Sequence, residues 1–288
     1  MNLFELTQHK AVQSEILSEG GSLPGVGAIH IDEINPTLVP LEKELGIDLR
    51  NNALGSVGKR EFSGDIDVAL NIEADKIPEF VERLKKSKQI FDIAKSSVIM
   101  TKVKIAGFDE EKTDGRPRTG YVQIDFMPGD PEWMKTYYHS PNEKDSQYKG
   151  VYRNIMIASI AGSVNIEDSE ETIEDGRPLQ SKRFMFSPRD GLIRVLRRPV
   201  PKKTGDGYTK KNNNKIIDGP WKTGESIAKT LGLDNSDDLD SYETLVASIR
   251  KNLSPEDQKK IFSAFTDNHT IKSMGIPPDI QEYSKGEL

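Results

Sequence analysis

Three aspartates and one glycine-serine pair are the residues whose types and spacing can do chemistry. Asp65 and Asp67 stand two apart in the run DIDVAL, where Ile66, Val68 and Leu70 alternate with Asp65, Asp67 and Ala69. Period-two alternation predicts a strand that buries the aliphatics on one face and sets both carboxylates on the other. Two like charges side by side repel, and the usual physical reason to place them so is a divalent cation. Hard ions such as Mg²⁺ prefer carboxylate oxygens and keep part of their coordination for water or substrate phosphates. A third carboxylate, Asp125, stands in GYVQIDFM, where Val122, Ile124 and Phe126 alternate with Tyr121, Gln123 and Asp125. Upstream of the pair lies Gly55-Ser56. Gly55 has no Cβ, so its backbone can approach an anion closely, and the Ser56 hydroxyl with the N–H groups after it can donate at a helix N-terminus. Each feature taken singly also has a plain structural reading, as an ordinary turn or as salt-bridged aspartates on an exposed sheet face.

These residues need a scaffold, and the 288-residue chain is long enough for a sizeable core and for two domains. Charged residues are 30% and hydrophobic ones 35%, the balance of a globular protein in water. No apolar run approaches the roughly 20 residues that span a bilayer, and the start, MNLFELTQHK, lacks the basic-then-apolar layout of a signal peptide. The expected location is cytoplasmic, with no membrane partner. There is no cysteine, which excludes disulfides, thiol nucleophiles and cysteine-ligated metals. His9, His30, His139 and His269 are scattered without metal-ligand spacing, which argues against a zinc enzyme.

Along the chain, apolar spacing predicts helices over 3–17, 34–45 (Pro36 near its first turn, Pro40 as a kink) and 76–90. Extended runs follow at 96–106 and 120–127, joined by the loop FDEEKTDGRPRT. Further helices are expected at 130–139 and 148–161, then an acidic linker at 164–178. The aromatics Trp133, Tyr137 and Tyr138 fit a core or a cleft wall. Beyond that the character changes. Phe184–Phe186 and Gly191–Leu196 read as a short hairpin turning at Pro188-Arg189-Asp190-Gly191. Residues 182–215 hold eleven Lys or Arg against Asp190 and Asp206, a local charge of +9. The whole chain carries −6, so the remainder carries −15. Such a stretch suits a phosphate backbone and stacked bases, or else KKTGDGYTKKNNNK is a flexible solvated loop. Helices are expected at 224–231, 240–252 and 255–266, each opened by a capping or proline signal, with a poorly ordered tail from 275.

The order Gly55-Ser56, Asp65-Ile66-Asp67, then a distant Asp125 resembles the DNA polymerase β-type nucleotidyltransferase superfamily over residues 50 to 127, with the cysteine-free, lysine-rich C-terminal half similar to phage-encoded members. Gly64 departs from the pattern, since many relatives carry serine directly before the first aspartate. The resemblance implies a small mixed β-sheet core with helices packed on one side; joined to the elements read above, the expected fold is α+β, a catalytic domain over 1–165 followed by a mainly helical C-terminal part, 166–288, containing a short β-hairpin. It implies that Asp65, Asp67 and Asp125 hold two Mg²⁺ ions, Asp65 and Asp67 bridging both and Asp125 binding the one that activates the acceptor hydroxyl. Gly55 and Ser56 would cradle the triphosphate of an NTP, and Lys59 and Arg60 would neutralise the pyrophosphate leaving group. The implied activity is transfer of a nucleoside monophosphate from an NTP to an acceptor hydroxyl. For the acceptor the basic stretch suggests an RNA 3′ end (tRNA-like or poly(A)-type addition) held by Arg194, Arg197, Arg198, Lys202, Lys203, Lys210 and Lys211. Arg194, Arg197 and Arg198 also suit a grip on the triphosphate itself. Two alternatives stand beside it: a protein side chain or small molecule as acceptor, and a catalytically silent nucleotide-binding module.

Overall fold

A computed structural model describes residues 23–96 and 98–284 of the chain; the helix expected over 3–17 lies outside them. By internal contacts the chain divides into two units, Met1–Lys135 and Thr136–Leu288.

In the first unit β1 (Ile29–His30) leads directly into α1 (Ile31–Leu45). His30 caps the helix by accepting from the Asp32 N–H, and the Glu33 carboxylate returns to the His30 N–H, so two of the orphan donors of a helix start are satisfied. Pro36 and Pro40 both sit inside the one helix, and Gly46 ends it in the left-handed region at φ 61°. Ile34, Leu38, Leu41 and Leu45 form its buried stripe. β2 (Phe62–Ser63) pairs with β1, and β3 (Asp65–Leu70) follows. α2 (Ile77–Lys86) buries Phe80 and Leu84. It stops four residues short of the expected 90, because Ile90–Lys95 is β4, a strand that the helical spacing concealed. β5 (Ile99–Lys104) and β6 (Tyr121–Pro128) complete a sheet of order β3-β6-β5-β4, with β3 parallel to β6 and the other pairings antiparallel.

One face of this sheet is core. Ile66, Val68, Val122, Ile124 and Phe126 cluster with Leu38 and Leu41 of α1 and with Phe80 and Leu84 of α2. Phe80 meets Phe126 edge to face at 5.2 Å. Burying each such side chain contributes ~1.5–3 kcal/mol, and the alternation that makes this face apolar leaves the other face for the carboxylates.

α3 (Pro131–Tyr137) follows β6, and α4 (Gly150–Ser163) belongs to the second unit. There β7 (Glu167–Asp168), β8 (Ser181–Ser187), β9 (Gly191–Pro201) and β10 (Tyr208–Trp221) form an antiparallel sheet of order β10-β9-β8-β7. The β8–β9 turn falls where Pro188-Arg189-Asp190-Gly191 predicts it: Ser187 Oγ accepts from the Asp190 N–H and Gly191 takes φ 92°. The hairpin is longer than expected and has a third strand. Tyr208–Asn214 lies in β10, so only residues 202–207 remain as connection, and the solvated-loop reading of KKTGDGYTKKNNNK gives way to an edge strand paired Asn212 to Pro199, Asn213 to Arg198 and Lys215 to Leu196. The helices α5 (Gly224–Leu231), α6 (Tyr242–Asn252) and α7 (Pro255–Thr266) are capped by Thr223, Ser241 and Ser254. After α8 (His269–Met274) the expected loose tail is instead tied down over Pro278–Tyr283. Ile280 is fully buried and the Tyr242 hydroxyl donates to Asp279 at 2.9 Å.

Together these elements are the α+β class expected, with a mixed sheet in the first unit and an antiparallel sheet plus helices in the second. Among the described residues no helix is long and apolar enough to cross a membrane.

Candidate metal centre

The parallel pairing of β3 with β6 sets Asp67 directly beside Asp125, and Asp65 beside Gln123. Residues paired in register share a face, so the three carboxylates converge opposite the apolar core. One oxygen from each lies within 4.8 Å of the others. All three side chains keep some access to solvent.

Crowding like charges shows in their acidity. Burial, then Asp65 and Asp125, push Asp67 up to about 8. Burial and Asp65 push Asp125 up to about 6, against the opposing hydrogen bond from Gln123. A cluster that holds carboxylates this unfavourably, on a face with room for solvent, fits a hard divalent cation. Oxygen-only donors match Mg²⁺ or Mn²⁺ and not a soft metal.

The Gly55-Ser56 turn lies against this centre. The Leu54 N–H donates to the Asp67 carbonyl and the Ala69 N–H to the Asn52 carbonyl, both at 2.8 Å, so residues 52–54 run beside β3. A Cβ added to Gly55 would lie 4.0 Å from Asp67 Oδ2. The helix expected after Ser56 is absent. Residues 56–59 close as a turn in which the Lys59 N–H donates to the Ser56 carbonyl at 3.0 Å. Gly55 at φ 66° and Gly58 at φ 71° are both left-handed, and two such residues three apart break a right-handed helix. Any anion contact at Gly55-Ser56 therefore comes from turn amides and the hydroxyl, not from a helix N-terminus. Lys59 and Arg60 follow this turn and are partly buried.

Sequence reasoning passed over Gln123. It is 2% exposed, its Nε2 donates to Asp125 Oδ1 at 2.8 Å, and its Oε1 accepts from the Leu23 N–H at 2.9 Å. The available signal was its place two residues before Asp125 on the same strand face.

The basic stretch divides by what each cation meets. Arg194 is ion-paired to Glu167 and stands over the Phe184 ring at 5.5 Å. Lys182 pairs with Glu167 at 2.8 Å and Arg183 with Asp168 at 3.3 Å. Arg197 is half-buried, and burial together with Arg183 lowers its pKa. Arg198, Lys202, Lys203, Lys210, Lys211 and Lys215 are exposed on the outer part of β9, the 202–207 connection and β10. Arg194, grouped with these by sequence alone, is thus a brace between β9 and β7. Trp133 is buried and Tyr137 stacks on Phe186 at 4.7 Å, so these aromatics pack within the fold.

No family model matches the sequence, and no curated protein matches it. Among solved structures the chain is similar to the polymerase β of Leishmania infantum in a ternary P/T complex, at 14% identity over 67% of this chain and 69% of that one, with a TM-score of 0.33. At that score the likeness adds nothing to what the carboxylates themselves show.

Proposed function

We propose that the chain is a divalent-metal-dependent nucleotidyltransferase that moves a nucleoside monophosphate from an NTP to an acceptor hydroxyl and releases pyrophosphate. The observation that carries this reading is the convergence of Asp65, Asp67 and Asp125 on one face of two parallel strands, with the Gly55 turn so close that a Cβ added there would lie 4.0 Å from Asp67 Oδ2. Asp65, Asp67 and Asp125 would hold two Mg²⁺ ions, which when bound would offset charge on the attacking and leaving oxygens of an in-line displacement at the α-phosphate.

The chain's own residues supply the rest. Gly55 lets the triphosphate approach the backbone, and the Ser56 hydroxyl donates to it. Lys59 and Arg60, next along the chain, meet the charge that builds on pyrophosphate. Asp125, by its position beside the acceptor hydroxyl, takes that hydroxyl's proton. The bond formed joins that oxygen to the α-phosphorus, and the bond broken joins the same phosphorus to the bridging oxygen of pyrophosphate.

For the acceptor, the exposed cations of β9, the 202–207 connection and β10 favour a polyanion, and an RNA 3′ end unites that surface with a hydroxyl nucleophile. The deciding experiment incubates the protein with Mg²⁺, each α-labelled NTP and a mixture of total RNA and protein. Label in RNA, lost in Asp67→Ala, is the expected result. Label in protein or small molecules would reassign the acceptor, and no label in any fraction would overturn the reading.

A further inference from the structure

We propose that Gln123 is a positioning residue of the metal centre: its buried amide clamps the Asp125 carboxylate to the backbone of Leu23 and so presets the donor set for a divalent cation. This rests on the metal-centre reading above. The amide has no freedom to flip. A backbone N–H only donates, so Oε1 must face Leu23, and the NH₂ group must then face Asp125. Reversal would set donor against donor at one end and acceptor against acceptor at the other.

Strand register explains why this residue is placed to do it. Gln123 and Asp125 are two apart on β6 and therefore share a face, and across β3 their partners are Asp65 and Asp67. The four side chains make a two-by-two block in which Gln123 is the one member without a charge. It takes part of Oδ1 by donation and fixes the plane of the carboxylate. Donors of this kind to metal-binding carboxylates set affinity by roughly 10–100-fold.

The far end of the clamp is itself held. Lys102 Nζ donates to the Pro24 carbonyl at 3.0 Å and the Thr119 hydroxyl to the Gly25 carbonyl at 3.1 Å. The Gly27 N–H reaches the Tyr121 carbonyl at 2.8 Å and the Ala28 N–H the Pro117 carbonyl at 3.0 Å. A Cβ on Gly27 would stand 2.5 Å from the Pro117 carbonyl oxygen, so only glycine admits this approach. Residues 23–28 are thus a strap tied at successive points, and Asp125 is oriented against something fixed. A buried glutamine that merely satisfied its own hydrogen bonds would have no influence on cation binding.

The test uses the full chain and Mn²⁺ alone as probe, without nucleotide. Gln123→Met keeps the volume and removes both bonds. Its dissociation constant for Mn²⁺, read by electron paramagnetic resonance of the free ion, is expected to rise about 10–100-fold, with a changed signal from the bound ion. Because the variant leaves the Leu23 N–H unmatched, at a cost to folding, a second measurement uses the wild-type protein. The side-chain NH₂ resonances of Gln123 should move during a Mg²⁺ titration with the midpoint of metal binding, while those of Gln258, whose Nε2 donates to the Leu253 carbonyl, stay still. Wild-type affinity in Gln123→Met, or stationary Gln123 resonances on saturation with Mg²⁺, would overturn the clamp and leave the metal centre standing. Failure of the wild-type protein to bind either ion would overturn both.

Discussion

The two sheets of this protein treat charge in opposite ways. In the first unit three carboxylates lie within 4.8 Å of one another on β3 and β6, and burial together with their neighbours' charge raises the pKa of Asp67 and of Asp125. In the second, three cations of β8 and β9 are matched by acids: Arg194 and Lys182 by Glu167, Arg183 by Asp168. Arg198, Lys202, Lys203, Lys210 and Lys215 are exposed on the outer part of that sheet. A fold that neutralises charge for its own sake looks like the inner part of the second sheet. Charge crowded against its own kind, as on β3 and β6, fits a ligand that supplies the opposite sign.

The harshest way to break the comparison is Asp67→Ala. Removing the carboxylate between the other two should reduce incorporation of α-labelled NTP by at least ~10³-fold while relieving repulsion, so the metal-free protein melts no lower than the wild type. Retained transfer would show that the cluster is not the catalytic centre. Next in size is the outer part of the second sheet. Changing Arg198, Lys202, Lys203 and Lys210 to Gln should weaken binding of single-stranded RNA by ~10²-fold near physiological salt. It should also flatten the plot of log affinity against log salt by about 0.7 per cation that contacts phosphate. An unchanged slope would turn the acceptor reading toward a protein or a small molecule.

Acid titration sharpens the contrast at smaller scale. The folded Asp67 carboxyl is raised to about 8 from the ordinary value of 3.8. Between those values the folded state holds more protons than the unfolded one, so metal-free stability is greatest on the acid side and falls as pH rises toward 8. The loss is removed in Asp67→Asn and is reversed by Mg²⁺, which binds the deprotonated form; denaturant midpoints across pH 5 to 9 measure both. Gly55→Ala tests the turn. Its φ of 66° costs an alanine ~1–2 kcal/mol, and the apparent KM for NTP should rise more than kcat falls. The smallest effect is expected for Arg194→Ala. Loss of an exposed pair with Glu167 should cost at most ~1 kcal/mol and leave RNA affinity within about twofold, unlike its exposed neighbours.

Much of this is legible in the residues alone. The alternation in DIDVAL and GYVQIDFM placed Asp65, Asp67 and Asp125 on the faces they occupy, and the turn at Pro188–Gly191 stands where its residues put it. Helical spacing across 76–90 ran through the start of β4, because Ile90 continues the apolar pattern of α2 and nothing local marks the change of period. The turn at Ser56 is the opposite case: Gly55 and Gly58 were visible, and their shared need for positive φ argued against a helix. The order of residues 278–283 was hidden because it comes from Ile280 and Asp279 meeting the second unit's core and Tyr242, contacts no local pattern encodes.

The sequence by itself determined which side of each strand carries charge, since a period of two follows from backbone geometry alone. It determined too the chemistry on offer, oxygen ligands without thiols. Only the tertiary structure decided that β3 lies parallel to β6 in the register that joins Asp67 to Asp125, that Gln123 links Asp125 to Leu23, and that Arg194 is spent on Glu167. Register between strands distant in the chain is set by packing Ile66, Val68, Ile124 and Phe126 against two helices. The carboxylate centre is a consequence of how the opposite, apolar face is filled.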